Sequence, residues 1–148
     1  MKRIELSTGG FTKVDDDDYD FYSHFTWWSD RKGYVVREED DKTVRLHRLI
    51  TGCPRGLQVD HKNGDKRDNQ QSNLRICTGS QNQHNRGNYA SNRSGLKGVG
   101  WQKNCAKWRA RIQVNGKQIN LGSFQNKMDA FSAYKKAAHE LHGEFARY

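Results

Sequence analysis

Short stretches of alternating apolar and polar residues open the chain and predict two β-hairpins. Residues 2–6 and 11–14 alternate around a Gly-rich turn, and residues 27–28 and 34–36 flank a polar turn. Between the hairpins, consecutive aspartates precede an aromatic segment. Acidic side chains favour the start of a helix, so we expect a short helix near residues 16–24. An aspartate run can also bind a metal, but it more often caps a helix or lies in a solvated loop.

The middle of the chain predicts two strands followed by a helix. Residues 43–50 begin with strand-like alternation and end in a helical turn, before a break that contains Gly and Pro. Residues 57–61 form the next expected strand, and residues 74–77 form the return strand after a polar loop. A helix is expected at residues 79–86. This ββα arrangement can gather side chains from both strands and the helix in one place.

The last third of the chain has a different pattern, which predicts a three-stranded sheet packed on one helix. The strand-like segments are residues 97–101, 107–114 and 117–121. Asn115-Gly116 is a strong signal for a tight hairpin between the last two strands. Residues 126–141 carry apolar side chains at helical spacing, and Gly143 is the expected helix end. The apolar positions of this helix are Met128, Phe131, Tyr134, Ala138 and Leu141.

Composition and charge narrow the class of protein. Only 33% of the 148 residues are hydrophobic, and no stretch approaches the roughly 18 apolar residues that a membrane span needs. We therefore expect no membrane association. The formal net charge is +9, and it is uneven: residues 1–56 carry a net −1 and residues 57–148 a net +10. This asymmetry favours a polyanionic partner, nucleic acid first, although a solvated basic surface would have the same composition.

The three cysteines, Cys53, Cys77 and Cys105, contain no CxxC pair. A structural zinc site is therefore not expected. An odd number of cysteines, together with the lack of an apolar leader segment, predicts a reducing cytoplasm.

Four polar residues of the ββα segment form the first candidate site: Asp60, His61, Asn73 and Asn82. A hard divalent cation prefers oxygen ligands, which Asp60 and the amide of Asn82 can supply. The imidazole of His61 can take a proton from water near neutral pH. Asn73 can hold the other ring nitrogen of His61 or tie the two strands together. Each residue alone has an ordinary structural explanation, but the combination suits metal-assisted phosphodiester hydrolysis.

This combination resembles the HNH endonuclease family, and in particular the phage-type homing endonucleases. The resemblance is carried by Leu46–Ile50, Val59–His61, Asn63-Gly64, Asp68-Asn69, Ser72–Arg75 and Gln81-Asn82. It implies that His61 is the general base and that Asn73 positions the site. It also implies that Asp60 and Asn82 bind Mg²⁺ or another divalent cation such as Mn²⁺. The roles of His47 and His84 stay open between function and ordinary packing.

The second candidate site is the basic face of the C-terminal sheet. Period-two alternation places Arg109, Arg111 and Gln113 on one face of their strand and apolar residues on the other. Arg can bind a guanine edge, and Gln an adenine edge, with two hydrogen bonds. A solvated sheet face is the alternative explanation. The candidate DNA-binding residues are Trp101, Lys103, Arg109, Arg111, Gln113 and Lys117.

Residues 94–148 resemble the plant APETALA/ethylene-response-factor DNA-binding domain, which phage HNH endonucleases often carry behind the nuclease. The stretches that carry this resemblance are Ser94–Val99, Lys107–Ile112, Leu121–Phe124 and Ala130–Tyr134. The plant domains have a fuller arginine set near the first strand, where this chain has Gly-Trp-Gln-Lys at residues 100–103. The preferred DNA sequence therefore does not carry over.

The two resemblances together predict an α+β protein with a small ββα-metal (HNH) nuclease core. The core is preceded by β-hairpins and followed by a three-stranded antiparallel sheet packed on one helix. The expected divisions are an N-terminal hairpin region at 1–42, the nuclease core at 43–86, a linker at 87–93 and the APETALA-like domain at 94–148.

The expected function is a sequence-specific, metal-dependent homing endonuclease that acts on double-stranded DNA in the cytoplasm of a bacterial or phage-infected cell. One alternative is a DNA-binding regulator with an inactive nuclease core. Another is a structural or RNA-binding protein of a virion or ribosome. A single site, with no heptad pattern or apolar dimer face, favours a monomer that nicks one strand. A dimer formed through the N-terminal hairpins is left open.

Overall fold

The computed structural model describes residues 1–85, 92–146 and 148, and it divides the chain into two compact units, Met1–Gly79 and Ser80–Tyr148. The protein is of the mixed α/β type, with several small antiparallel sheets and few helices. The expected linker at residues 87–93 falls mostly outside the described residues. Within the described ranges, no helix combines the length and the apolar character needed to cross a membrane.

Small antiparallel sheets and short helices make up the first unit. Its elements are β1 (Lys2–Glu5), β2 (Phe11–Val14), α1 (Asp16–Tyr22), β3 (Trp28–Ser29), β4 (Val35–Glu39), β5 (Lys42–Arg45), α2 (Leu46–Thr51), β6 (Gln58–His61) and β7 (Leu74–Cys77), with a 3₁₀ turn at Gln71–Asn73. β1 pairs with β2, β4 lies between β3 and β5, and β6 pairs with β7. The predicted hairpins, the short acidic-capped helix and the strand pair of the candidate site are therefore present.

The core of the first unit takes side chains from the N-terminal hairpins and from α2. Its buried members are Ile4, Leu6, Val14, Trp27, Val35 and Leu46. Trp27 is fully buried, and its indole nitrogen donates a hydrogen bond of 2.8 Å to the carbonyl of Tyr22, which satisfies the one polar atom of the ring. Trp28 is half-buried. Trp27 is therefore a core residue, and Trp28 is only partly one.

The connection between β6 and β7 is held against the N-terminal hairpin by backbone bonds. The amide of Lys13 donates to the carbonyl of Arg67, and the amide of Asn69 donates to the carbonyl of Lys13, both at 2.8 Å. Lys13 and Asp68 form an isolated parallel bridge. The loop that follows His61 is thus fixed by β2, a strand from the start of the chain.

The second unit contains a three-stranded antiparallel sheet and its helices. The elements are α3 (Gly79–His84), which begins at the boundary between the units, β8 (Val99–Gln102), β9 (Lys107–Val114), β10 (Lys117–Phe124), α4 (Lys127–His142) and a 3₁₀ turn at Gly143–Phe145. The strand order is β10-β9-β8. Asn115 and Gly116 both have positive φ, 49° and 78°, as the predicted two-residue hairpin turn requires.

Helix α4 packs on the sheet, and the predicted helix is present. Its buried residues are Ala130, Tyr134, Ala137, Ala138 and His142. Of the apolar positions at helical spacing, Met128 and Leu141 are 55% and 47% exposed. Met128 lies about 200° around the helix from Ala130, at 100° per residue. In the last turn, the residue turned toward the sheet is His142, whose Nε2 bonds to the carbonyl of Gln113 at 3.0 Å.

Candidate functional site

Asp60 and His61 are the last two residues of β6, and both side chains are buried. Asp60 lies opposite Arg75 in the antiparallel register, and His61 lies opposite Leu74. The Arg75 guanidinium donates from Nε and Nη2 to the same carboxylate oxygen, Oδ2 of Asp60, at 2.9 and 2.7 Å. This charged pair offsets the cost of burying the Asp60 carboxylate.

The His61 ring is held on several sides. Its Nε2 lies 3.1 Å from Oδ1 of Asn69, and its centroid lies 5.1 Å from the ring of His47, in an edge-to-face arrangement. Burial lowers the pKa of His61 below its ordinary value, while the hydrogen bond to Asn69 and the nearby carboxylates oppose that shift. The imidazole is therefore neutral at pH 7, which is the form that can accept a proton.

His47, on α2, packs as a second neutral ring beside His61. Burial is the largest cause that lowers the pKa of His47 to about 3, and the neighbouring His61, Arg45 and Arg48 add to it. The Tyr34 ring lies 5.2 Å from the His47 ring. Within the described part of the chain, Nδ1 of His47 is a buried atom with no hydrogen-bond partner.

Two cations lie over the ring of Tyr34, which packs against His47. Nζ of Lys66 is 4.4 Å from the Tyr34 centroid, and the Arg45 guanidinium is 5.7 Å from it. Lys66 is held further by its bond to the carbonyl of Lys32, at 2.6 Å. Positive side chains therefore border the pair of histidines, and a phosphate would be attracted to them.

Asn73 ties the two strands together rather than holding the His61 ring. Its Oδ1 accepts the backbone amide of Asn63 at 3.0 Å, and its Nδ2 donates to the carbonyl of Asp68 at 2.8 Å. Its own carbonyl accepts the amide of Lys62 at 2.9 Å. Of the two roles that its residue type suggested, the structure contains the second.

The amide that does reach the His61 ring belongs to Asn69, which was part of the family resemblance but had no predicted role at the site. Asn69 lies within a run of polar residues that looks like any solvated loop, yet it is fully buried. A buried position in a polar loop has no local sequence signal, because its burial depends on a strand far away in the chain.

Asn82 lies on α3, in the second unit, with a half-buried side chain. Its proposed role as a metal ligand alongside Asp60 stays a prediction. Among the residues that the structure describes, no cluster of three or more His, Cys, Asp or Glu side chains could hold a metal ion.

The candidate DNA-binding face is on the sheet of the second unit. Arg111 and Gln113 are exposed and Arg109 is half-buried, whereas Ala110 and Ile112 between them are buried toward α4. The alternation predicted for β9 is confirmed. The sequence from residue 92 to residue 128 contains no acidic side chain, so this face carries an uncompensated positive charge.

The strand register separates the other predicted DNA-binding residues from this face. Trp101 lies opposite Trp108, and Lys117 lies opposite Val114. Directly opposed residues share a face, so both belong to the face that carries Ala110. Trp101 is nevertheless 49% exposed, and Lys103 is exposed in the turn after β8.

The strand register also places amide side chains on the face of the sheet that carries Arg109, Arg111 and Gln113. The sequence did not single out these amides as candidates. Gln102 lies opposite Lys107, Gln118 opposite Gln113, and Asn120 opposite Arg111. Nη1 of Arg111 donates to Oε1 of Gln118 at 3.2 Å. The face thus combines guanidinium groups with amide side chains, which together can contact phosphates and base edges.

Comparison with known proteins points to a family of nucleases. A family model described as HNH endonuclease matches residues 44–84. Protein 3.8 of Escherichia phage T7 is 35% identical over 95 residues, covering 64% of this chain and 78% of the phage protein. An HNH endonuclease of Acanthamoeba polyphaga mimivirus is 31% identical over 144 residues, covering 93% of this chain and 74% of the viral protein. No solved structure matches.

The chain belongs to the HNH endonuclease family. Both of these relatives are viral proteins.

Proposed function

We propose that this protein is a sequence-specific, metal-dependent DNA endonuclease of the homing type, which acts on double-stranded DNA in the cytoplasm of a bacterial or phage-infected cell. The observation that carries the proposal is the buried imidazole of His61, which directly follows the buried, ion-paired carboxylate of Asp60 at the end of β6. A neutral imidazole beside a carboxylate is the combination that hydrolysis of a phosphodiester needs at neutral pH.

His61 is the general base of the proposed reaction. It takes a proton from water, the water oxygen forms a bond to phosphorus, and the bond between phosphorus and the 3′ oxygen breaks. Asn73 acts as a positioning residue, because its bonds to Asn63 and Asp68 hold the loop that follows His61. Lys66 and Arg45 attract the phosphate.

The donor set of the proposed metal site suits a hard cation. Carboxylate and amide oxygens are the ligands that such ions prefer. A carboxylate accepts at about four lone-pair positions, and Nε and Nη2 of Arg75 both donate to the same oxygen of Asp60, Oδ2. Mg²⁺ or Mn²⁺, held by Asp60 and Asn82, would stabilise the negative charge on the phosphate and on the departing oxygen.

The second unit selects the target in this proposal. Its support is the exposed face of Arg109, Arg111 and Gln113 on a sheet packed against one helix, which is the arrangement expected of an APETALA-like domain. We accordingly propose a hairpin region at 1–42, a nuclease core at 43–86, a linker at 87–93 and the DNA-binding domain at 94–148.

The protein acts as a monomer that nicks one strand, because each chain holds one Asp60–His61 site. Supercoiled plasmids carrying fragments of viral and host DNA, incubated with the full chain and Mg²⁺, test the whole proposal. The expected product is an open circle that persists at excess enzyme and is not formed with EDTA or with His61→Ala. Linear DNA formed without an open-circle phase would contradict the monomer. Tight binding without any cleavage would favour a regulator with an inactive nuclease core.

A further inference from the structure

We propose that Asn69 and Thr12 form a positioning relay that decides which ring nitrogen of His61 carries the proton. The relay places the proton on Nε2, so that Nδ1 is the nitrogen that accepts the proton of the attacking water. This inference deepens the proposed function and rests on the role of His61 as the general base.

The relay is a continuous chain of buried hydrogen bonds. Thr12, on β2, and Asn69, in the loop before β7, are both fully buried. Nδ2 of Asn69 donates to Oγ1 of Thr12 at 2.8 Å, and Oδ1 of Asn69 lies 3.1 Å from Nε2 of His61. One amide therefore joins a strand from the start of the chain to the candidate catalytic ring.

The surroundings of the Asn69 amide allow only one orientation. The hydroxyl of Thr12 has a single proton, which it donates to the carbonyl of Arg67 at 2.8 Å. Oγ1 of Thr12 can therefore only accept from Asn69. The carbonyl of Lys66, 3.3 Å from the same end of the amide, can also only accept. Both neighbours require the NH₂ group of Asn69 at that end, which turns its oxygen toward His61.

This orientation determines the tautomer of His61. The Asn69 oxygen can only accept a hydrogen bond, so Nε2 of His61 must be the donor. A neutral imidazole carries one proton, so Nδ1 is then the unprotonated nitrogen. If the amide rotated by half a turn, Nε2 would face a donor and the proton would move to Nδ1. The nitrogen that serves as the base would then point to the interior of the protein.

The sharpest test replaces the hydroxyl of Thr12 and leaves the site residues untouched. Thr12→Val keeps the shape and the strand preference of the side chain but removes the acceptor for Asn69. Thr12→Ser is the matched control, because it keeps the hydroxyl and loses only a methyl group. In single-turnover cleavage by the full chain, we expect Thr12→Val to slow the reaction about 10-fold, at the low end of the range for groups that orient a histidine. We expect Thr12→Ser to cleave nearly as the wild type does.

Binding and stability measurements separate positioning from a general structural effect. The Kd for plasmid DNA should be the same in both variants, and Thr12→Val should keep a cooperative thermal transition close to that of Thr12→Ser. Equal cleavage rates in the two variants would overturn the relay. A loss in Thr12→Val that is matched by an equal loss in DNA affinity would also overturn it.

The tautomer can be read directly and does not depend on cleavage. Proton–nitrogen NMR spectra of the imidazole rings, assigned with His61→Ala, should show the His61 proton on Nε2 in the wild type. They should show the same in Asn69→Asp, which keeps the acceptor oxygen. A wild-type His61 protonated on Nδ1 would overturn the relay even if no variant changed the rate. A correct tautomer in a protein that does not cleave DNA would instead contradict the proposed function alone.

Discussion

In the first unit, Asp60, His61 and Asn69 are buried and each is hydrogen-bonded to another side chain, whereas in the second unit the side chains of the candidate DNA face are largely exposed. Asp60, His61 and Asn69 are each 5% exposed or less, while Arg111 and Gln113 are open to solvent. A buried, hydrogen-bonded side chain is held in a defined position, which proton transfer requires. An exposed cation can adapt to a phosphate backbone without prior ordering, so the two units are suited to different tasks.

The largest expected effect is the loss of cleavage, without loss of DNA binding, when His61 is replaced. His61→Ala should slow cleavage about 10²–10⁴-fold, because that is the usual loss on removing a general base, and it should leave the Kd for DNA nearly unchanged. Gel-shift and single-turnover cleavage measurements on the same DNA check both parts. Cleavage at more than half of the wild-type rate would rule out His61 as the base.

A substitution at Gly98 should destabilise the second unit without changing the candidate catalytic site in the first. Gly98 has φ +73°, and a Cβ there would collide with the Tyr134 ring and lie 2.7 Å from the carbonyl oxygen of Arg111. We expect Gly98→Ala to lower the free energy of unfolding by about 2–5 kcal/mol, from overpacking and left-handed strain together. Thermal unfolding and salt-dependent DNA binding measure this effect.

Gly95 provides the matched control for that substitution. It has φ +71°, but a Cβ there would meet no atom within 4 Å. Gly95→Ala should therefore cost only the strain of about 1–2 kcal/mol. Equal losses for the two variants would show that the contact with Tyr134 contributes nothing.

The DNA face can be tested against the opposite face of the same sheet. Arg111→Ala should weaken specific DNA binding by about 1–3 kcal/mol if Arg111 contacts a base edge. Lys117→Ala removes the same charge from the face that carries Val114, so it should cost less and affect all DNA sequences alike. Titrations at several salt concentrations measure both. Equal effects of the two substitutions would mean that net charge, rather than this face, controls binding.

The last expected effect concerns pH and His47. The folded pKa of His47 is about 3, against about 6.5 in an unfolded chain. Below pH 6.5 the unfolded state therefore binds a proton that the folded state does not, and stability falls with decreasing pH, by at most about 1.4 kcal/mol per pH unit. His47→Phe should make this fall shallower. Denaturant unfolding between pH 7 and about 4.5 measures the slopes; identical slopes would contradict a buried, neutral His47.

Much of the local structure could be predicted because it depends on neighbouring residues. The Asn115-Gly116 turn follows from two residues that accept positive φ, and β9 follows from strict alternation of its side chains. The prediction of where β10 ends was less accurate, because the strand continues to Phe124 and the predicted strand stops at residue 121. A register shift between Asn120 and Gly122 interrupts its alternation, and this hides the last residues from a period-two pattern.

The contacts that complete each site could not be predicted, because they join distant parts of the chain. Asn69 reaches His61 in an orientation that depends on Thr12 of β2. The residues next to Asn69 in the chain do not indicate that β2 packs against this loop. Trp101 and Lys117 looked equivalent to Arg111 as polar or aromatic strand residues, but strand register assigns them to the other face. Register is a property of pairs of strands, so no single strand reveals it.

The bridge between β2 and the loop before β7 also has a consequence for how the protein is made. The Thr12–Asn69 contact spans 57 residues of sequence, and the hairpins between these two residues can form from local contacts. Bringing the ends of so long a segment together carries an entropic cost that local contacts do not. We therefore expect the nuclease unit to close late during synthesis, after the strand that contains Leu74 has left the ribosome. A chain still being translated would then hold its hairpins without a finished cleavage site.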